Sequence, residues 1–433
     1  MEKQAGVRLS NMWGSMKGKQ KAQIVLQVVD IEKSLAATKF RKVGALYYKE
    51  DLPARPNPMA SLYIDSAGNE VQSSKFGIGP TNHRAFFDFG RADLDIDRGP
   101  CMCFAYPTLL IGVSRMLTRM ANLGGTPGGF MIAIANREIA SAKADLRYPL
   151  MPEGLFRGPR QYQPNTAKKL STLKQYLKVA SNVLPEHPET HSSVLWHGDL
   201  NLQNIFVAPD EPTQILGIID WQSVSACPLF MQATRPAFLE YNGPLPEELG
   251  KVHLPANFDS LSPDEQHKAK ALHQAQTLHN LYLARSRQAN PEVFQALQGQ
   301  NTLRHQVSVI PGLTLMDYEP CLASLLRDVE KEWTNIVGVK TDGSPVIPWP
   351  LQYSAAEAQQ QATDADLWAQ GVELMNECIH DTGCFKHWDG RVSEVDYEVS
   401  KKQLDEGVQR FLLREARDEN ERKAWLRALP FVD

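Results

Sequence analysis

Residues 195–205 hold polar side chains at a spacing that could carry out chemistry. The segment contains His197, Asp199 and Asn204, and another acid, Asp220, follows the next apolar run. Transfer of a phosphoryl group needs a carboxylate that orients the attacking hydroxyl and accepts its proton, and oxygen ligands that hold Mg²⁺ on the phosphates. Asp199 would supply the first group, and Asn204 with Asp220 would supply the second.

Three short β-type runs must position these groups, and they span residues 193–196, 204–207 and 214–219. The turn-rich connector 208–212 joins the last two runs into a predicted hairpin. The first run leads into the loop that holds Asp199, and the hairpin would return Asp220 towards Asn204, so that the two meet at one metal ion. Because three polar positions occur in the required strand–loop–strand context, the signal is specific. The competing interpretation is a solvated turn with an unrelated acidic residue.

This segment resembles the catalytic loop and the metal-binding aspartate of the aminoglycoside and choline phosphotransferase superfamily, whose members are relatives of the protein kinases. The resemblance implies that Asp199 is the catalytic base, that Asn204 and Asp220 are magnesium ligands, and that Mg²⁺ and ATP are the cofactors. His197 would brace the metal segment by packing and hydrogen bonding. A metallophosphoesterase is the weaker alternative, because the D-x-H and G-N-H elements of a two-metal hydrolase are missing.

A second resemblance, to the fungal family called altered inheritance of mitochondria protein nine, extends over nearly all of the chain. Short motifs carry it in order, at residues 1–3, 9–13, 19–33, 44–48, 78–80, 97–100, 137–140 and 235–239. The association of that family with mitochondria implies a mitochondrial location. The first residues form no presequence, so a cytoplasmic location is expected if Met1 is the true start.

The superfamily resemblance also implies a nucleotide lobe with a phosphate-covering loop, a strand lysine and a helix glutamate. None of these precedes the catalytic segment, and Met1-Glu2-Lys3 resembles the hinge that joins the two lobes. Lys49 follows the first long helix and is therefore in the wrong order for the strand lysine. We expect a chain that binds ATP and Mg²⁺ weakly and has little or no activity. The sequence leaves open an active transferase or a non-catalytic pseudokinase scaffold linked to mitochondrial maintenance.

The order of elements predicts an α+β fold that is mainly helical. The expected architecture is a protein-kinase-like C-terminal lobe with small β-ribbons, with the N-terminal nucleotide lobe largely absent. The predicted domains are a hinge-like remnant at 1–12, the lobe at 13–340 and a linker with a helical extension at 341–433. Within the lobe, the catalytic loop is placed at 195–205 and the metal segment at 214–222.

Apolar residues at helical spacing predict helices at 15–37, 109–123, 132–146, 170–184, 265–288 and 319–336. A capping box formed by Ser393 and Asp396 predicts one further helix that extends towards Ala424. The β-type runs 44–48 and 60–64 predict a small ribbon.

Residues 76–100 are rich in glycine and proline, which predicts a structured loop. With the helices after Asp220, this loop is expected to build the acceptor pocket. Its arginines would either bind an anionic acceptor or pair with nearby carboxylates, and the second interpretation is favoured. The arginines are Arg84, Arg91 and Arg98, and the carboxylates are Asp88, Asp93 and Asp95. The glycine cluster 124–129 lacks the Lys-Ser/Thr of a phosphate-binding loop, so a plain loop is predicted.

Bulk properties exclude several classes of function. The 46 basic and 50 acidic residues give a net charge of −4 and no basic footprint for nucleic acid. No apolar run reaches the roughly 18 residues that a membrane span needs. Cys101 and Cys103 have no second cysteine pair nearby, so ordinary thiols are favoured over a metal site. The expected partner is a small-molecule acceptor of unknown identity, and a protein partner stays open.

Overall fold

The computed structural model describes residues 3–52, 61–98, 127–147, 157–241, 250–383, 392 and 394–429. The chain divides into two compact units. Unit 1 comprises residues 1–84, 98–130 and 185–305, and unit 2 comprises residues 85–97, 131–184 and 306–433. Because each unit combines separate stretches of the chain, this division differs in kind from consecutive domains, and the predicted domain boundaries stay predictions.

The described helices, in chain order, are α1 Leu9–Trp13, α2 Gly18–Ala37, α3 Pro127–Lys143, α4 Thr166–Val179, α5 Leu229–Gln232, α6 Pro263–Ala289, α7 Pro291–Gln298, α8 Leu303–Val309, α9 Glu319–Lys331, α10 Trp333–Val337, α11 Ala355–Thr382, α12 Tyr397–Glu415 and α13 Glu419–Ala428. The described strands are β1 Val7–Arg8, β2 Lys39–Phe40, β3 Ala45–Tyr48, β4 Tyr63–Ile64, β5 Glu70–Val71, β6 Phe76–Gly79, β7 Ser193–Val194, β8 Ile205–Val207, β9 Ile215–Ile218 and β10 Cys227–Pro228. Long helices with short strands confirm the α+β, mainly helical prediction.

The strands of unit 1 form three small antiparallel sheets, in the orders β1-β8-β9, β10-β7-β2-β4-β5 and β3-β6. The predicted hairpin is confirmed, because β8 pairs with β9 and Ile205 lies opposite Ile218. The β8–β9 pairing has a register irregularity between Phe206 and Val207. Strand β1 pairs with the other edge of β8, so β8 is the central strand. These contacts fix the two chain segments that carry the predicted metal ligands.

Helix α2 packs against the catalytic segment through two apolar faces. Ile24 and Val28 are fully buried in one cluster with Leu200 and Ile205, which lie in the middle and at the end of the predicted catalytic loop. The adjacent face of the helix packs in a second cluster that includes Trp196. Apolar residues spaced four apart on a helix lie on one face, so this amphipathic pattern anchors the loop at both of its ends.

The helices predicted within the described ranges are confirmed, with ends shifted by a few residues. The prediction at 109–123 lies outside the described residues. The segment predicted as one helix at 319–336 is two helices, because Glu332 leaves helical geometry between α9 and α10. Within the described part, no helix is both long enough and apolar enough to cross a lipid bilayer.

The predicted ribbon between residues 44–48 and 60–64 is wrong. Strand β3 pairs instead with β6, where Leu46 lies opposite Ile78. Strand β4 pairs with β2 and β5. The carboxylate of Asp65 accepts hydrogen bonds from the backbone of Ala67 and Asn69, which closes a local turn between β4 and β5. The local turn at Asp65 favours pairing of β4 with β5 over pairing of β4 with β3 through a longer loop. The two predicted runs therefore pair with different strands.

Two predicted loops are also partly regular structure. Residues 76–79 of the predicted 76–100 loop form β6, and short 3₁₀ turns follow at Arg84–Phe86 and Arg91–Asp93. In the glycine cluster, residues 127–129 form the first turn of α3, where proline is well tolerated. Residues 124–126 lie outside the described part.

The predicted last helix is interrupted. Helix α12 ends at Glu415 and Ala416 is extended, so α13 begins as a separate helix. The Asp418 side chain accepts a hydrogen bond from the Glu421 backbone at 2.8 Å and caps α13. Ser393 lies outside the described residues, and Asp396 makes no side-chain capping bond. A local cap therefore overrides the continuous helical periodicity. In the core of unit 2, α11, α12 and α13 pack around Trp425.

Candidate active site

Asp199 lies in the loop between β7 and β8, and its side chain is exposed. The amide nitrogen of Asn201 donates to Asp199 Oδ1 at 2.9 Å. The amide nitrogen of Asn204 donates to the Asp199 backbone carbonyl at 2.9 Å and to Oδ2 at 3.3 Å. Each carboxylate oxygen therefore accepts one amide hydrogen bond, which orients the group while leaving it accessible.

Asn204 is 7% exposed and directly precedes β8. Its backbone carbonyl accepts a hydrogen bond from the Ile219 nitrogen at 2.9 Å. Because its side-chain nitrogen is committed to Asp199, the side-chain oxygen is the free end of the amide. Among the described residues nothing donates to this oxygen, which leaves it available to a cation.

Asp220 is exposed and lies two residues after the end of β9. Its φ is +67°, in the left-handed region that residues with a Cβ rarely adopt. Such a conformation costs about 1–2 kcal/mol for most residues, and aspartate tolerates it better than most, which suits a sharp turn after β9. The hydrogen bond from Ile219 to Asn204 places the backbone of Asp220 one residue beyond the paired end of the hairpin.

His197 is 4% exposed and contacts the predicted metal segment, residues 214–222. Its Nε2–H donates to the Ile219 carbonyl at 2.8 Å. The imidazole also meets the Trp221 ring edge to face, with the centroids 4.8 Å apart. These two contacts hold the residues on either side of Asp220. They are contacts of the bracing kind expected from the sequence, and the role itself stays a prediction.

The donor set suits a hard cation. Asn204 offers an amide oxygen and Asp220 a carboxylate, and Mg²⁺ prefers oxygen ligands and usually keeps several positions for water and substrate phosphates. In the described part of the chain, no group of three or more His, Cys, Asp or Glu side chains gathers around a point. A site with few protein ligands, completed by phosphate oxygens, is therefore the type that these residues fit.

Asn201 is a site residue that the sequence prediction missed. Its side-chain oxygen accepts from the Gln203 backbone at 2.8 Å while its nitrogen holds Asp199. The sequence does contain a hint, because Asn201 follows the candidate base by two positions. An asparagine side chain in a loop commonly accepts a hydrogen bond from the backbone two residues further along the chain. Asn201 therefore forms the turn and orients the carboxylate together.

Arg91 of the predicted acceptor loop serves the fold. It is 3% exposed, and its guanidinium donates to both Glu138 oxygens, at 2.8 and 3.0 Å, and to Ser141 Oγ at 3.2 Å. The favoured interpretation, pairing with carboxylates, is right for Arg91, although its partner is a helix residue distant in sequence. Arg84 and Arg98 also have interaction partners.

Residues 136–230 match the model of a family described as the phosphotransferase enzyme family. The matched span contains the complete segment from His197 to Asp220. The predicted phosphotransferase resemblance is confirmed. It covers the candidate base, both candidate metal ligands and the hairpin that joins them.

Relatives extend the similarity over most of the chain. Subtelomeric hrmA-associated cluster proteins from two strains of Aspergillus fumigatus are each 27% identical over 396 residues, which is 87% of this chain and 71% of each relative. Altered inheritance of mitochondria protein 9 of Yarrowia lipolytica is 21% identical over 359 residues, 81% of this chain and 54% of that protein. No solved structure matches.

Proposed function

We propose that this chain is a kinase-like phosphotransferase that transfers the γ-phosphate of ATP to a hydroxyl group of a small molecule. One observation carries the proposal. The Asn204 amide nitrogen binds Asp199, so its oxygen is free at the end of the hairpin that also presents Asp220. A carboxylate for the hydroxyl and two oxygen ligands for a metal are the groups that this reaction needs.

Asp199 acts as the base in this proposal. Its exposed carboxylate is held by the amides of Asn201 and Asn204, so one orientation is favoured before the substrate arrives. The acceptor hydroxyl would donate a hydrogen bond to Asp199 and lose its proton to that carboxylate as its oxygen bonds to the γ-phosphorus. The bond from that phosphorus to the bridging oxygen breaks in the same step, and ADP leaves. Fixing a general base in this way contributes through positioning as much as through proton transfer.

Asn204 and Asp220 would hold Mg²⁺, which neutralises charge on the transferred phosphate when it is bound. The left-handed backbone at Asp220 turns the chain sharply at this point. His197 fixes the preceding carbonyl of Ile219 and therefore acts as a positioning residue. The two ligands approach from neighbouring strands, whose pairing is set by the β8–β9 register.

We propose slow transfer by the 433-residue chain alone. Its sequence supplies no identifiable strand lysine and helix glutamate to neutralise the nucleotide phosphates, and charge stabilisation is usually a large contribution to this chemistry. The relatives from Aspergillus and Yarrowia each extend beyond the region that aligns with this chain. The name of the Yarrowia relative supports a mitochondrial location, which fractionation of cells producing the tagged protein would test.

The test measures transfer from radiolabelled ATP to pooled small hydroxyl compounds, with Asp199→Asn compared to Asp210→Asn. Asp210 is an exposed aspartate in the turn between β8 and β9, so the control makes the same chemical change near the site. We expect Asp199→Asn to abolish Mg²⁺-dependent transfer and Asp210→Asn to retain it. If both variants and the parent chain transfer nothing but support the same cellular phenotype, the non-catalytic scaffold is the better account.

A further inference from the structure

An exposed arginine, Arg235, lies next to the predicted catalytic loop within unit 1. It begins the motif 235–239, and the Ala237 nitrogen donates to the Leu200 carbonyl at 3.2 Å. Leu200 directly follows Asp199 in the chain. Because two residues span at most about 7 Å, the backbone of Arg235 lies within about 10 Å of that carbonyl. A small molecule held at Asp199 is therefore near enough for a long side chain such as arginine to contact.

Hydrogen bonds fix the backbone on both sides of Arg235. The Ala233 carbonyl accepts from the Gln300 side chain at 2.6 Å. The Leu239 carbonyl accepts from His279 Nδ1 at 3.1 Å. With the bond to the catalytic loop, the segment is held at both ends and in its middle, so the position of Arg235 is set before a substrate arrives.

A buried histidine of α6 orients the guanidinium. His279 is 1% exposed, and since its Nδ1–H donates to Leu239, its Nε2 carries a lone pair. Arg235 Nη1 donates to this nitrogen at 3.4 Å. Burial lowers the pKa of His279, the bond to Leu239 opposes the shift, and the charge of Arg235 adds to it. The imidazole is therefore neutral at pH 7 and orients Arg235 without neutralising it.

The positive charge of Arg235 has no carboxylate partner among the described residues. Its one hydrogen bond there is the bond to His279. Asp199 is held by amide groups, and the neighbouring Glu240 forms no ion pair with the arginine. A guanidinium has several N–H donors, so most of those on Arg235 are available to a ligand.

The buried acid of this region gives little compensation. The charge of Arg235 opposes the rise in the pKa of Tyr282 that burial causes, and the Tyr282 hydroxyl donates to Glu32 at 2.9 Å. Burial raises the pKa of Glu32 to about 8, so this carboxyl is mostly protonated at pH 7. The cation beside the catalytic loop therefore keeps its charge for a ligand.

We propose that Arg235 binds an anionic group of the acceptor, a carboxylate or a phosphate, while the acceptor hydroxyl lies at Asp199. The inference rests on the proposed phosphotransferase reaction and names its substrate class. The acceptor is a small hydroxy acid, or a small hydroxyl compound that carries a phosphate ester. A planar guanidinium matches either anion through paired hydrogen bonds. Holding the acceptor at its charged end restricts the positions of its hydroxyl near the base.

Calorimetry on the complete chain tests this binding, with chloride matching the ionic strength. The probes share one carbon skeleton: glycerate carries a carboxylate, glycerol phosphate carries a phosphate, and glycerol is uncharged. Arg235→Gln removes the charge, and Arg235→Lys keeps the charge without the planar fork. Arg287→Gln is the matched control, because Arg287 is an exposed arginine in the last turn of α6 and forms no ion pair within the described ranges.

We expect the parent chain to bind at least one anionic probe more tightly than glycerol. Arg235→Gln should weaken that binding at least about tenfold, Arg235→Lys should recover part of the loss, and Arg287→Gln should bind as the parent does. The thermal midpoint of Arg235→Gln should stay at the parent value, since the side chain is exposed. Tighter binding of glycerate would identify a hydroxy acid, and tighter binding of glycerol phosphate a phosphate ester.

Transfer from ATP separates a failure of this inference from a failure of the proposed reaction. Asp199→Asn should transfer nothing but bind the anionic probe at least as tightly as the parent. Absent transfer by the parent, with anion binding that still depends on Arg235, would refute the reaction and keep the anion site. Equal affinity for all probes, no binding of either anion, or anion binding unchanged in Arg235→Gln would overturn the inference, and transfer to glycerol would then keep the reaction.

Discussion

Glu32 should make the folding stability of this protein depend strongly on pH. It lies in α2, is 3% exposed and accepts a hydrogen bond from the Tyr282 hydroxyl of α6 at 2.9 Å. Burial raises the pKa of Glu32 from 4.5 to about 8, although the bond from Tyr282 opposes the shift. Between these two values the folded state binds a proton that the unfolded state releases. The free energy of unfolding therefore falls as pH rises, by up to about 1.4 kcal/mol per pH unit.

The perturbation is Glu32→Gln, which keeps the volume and the acceptor for Tyr282 but cannot ionise. At pH 5 the variant and the parent chain should be nearly equally stable. By pH 8 the parent should have lost up to about 4 kcal/mol relative to the variant. Urea denaturation followed by tryptophan fluorescence at pH 5, 6.5 and 8 measures the difference.

Glu50→Gln is the control, because Glu50 is an exposed glutamate of unit 1 and the change in charge is the same. A stability difference between Glu32→Gln and the parent that does not change with pH would refute the reasoning. A pH-dependent difference of equal size in Glu50→Gln would assign the effect to general charge and not to burial.

Three further variants test contacts on which the fold and site depend. His197→Ala should weaken Mg²⁺-dependent ATP binding about tenfold in calorimetry, because the positioning bond to the metal segment is lost. Arg91→Met should lower the free energy of unfolding by about 3 kcal/mol in urea titrations, since it removes one partner of the buried Glu138 carboxylate. Gly158→Ala should destabilise the protein by about 1–3 kcal/mol, measured in the same way, because a Cβ there would overlap the Trp425 ring.

The sequence predicts the catalytic hairpin well because its determinants are local. Apolar alternation defines both strands, and the proline-rich connector between them fixes their order, so β8 and β9 pair as expected. The amphipathic pattern of α2 is equally local. Ile24 and Val28 are buried as the spacing indicates, whereas Ile31 and Leu35, which continue the same pattern, are only half-buried. Strong local signals and tertiary packing agree in these segments.

Choices among distant partners could not be predicted. Strand β3 pairs with β6 and β4 pairs with β2, although alternation alone suits either arrangement. The partner of Arg91 is Glu138, 47 residues further along the chain. The spacing of residues indicates neither the strand pairing nor this ion pair, because both depend on which elements pack together. Asn201 was missed for a different reason, since one asparagine in a polar loop is a weak signal.

The most direct measurement asks whether one divalent cation lies between Asn204 and Asp220. Mn²⁺ serves as a paramagnetic probe, and methyl labelling of isoleucine places reporters at Ile205, Ile218 and Ile219 around the site. The account predicts that Mn²⁺ with ATP broadens these three methyl resonances in the parent chain and that Asp220→Ala abolishes the broadening. Sharp resonances in the parent, or broadening that survives Asp220→Ala, would contradict it.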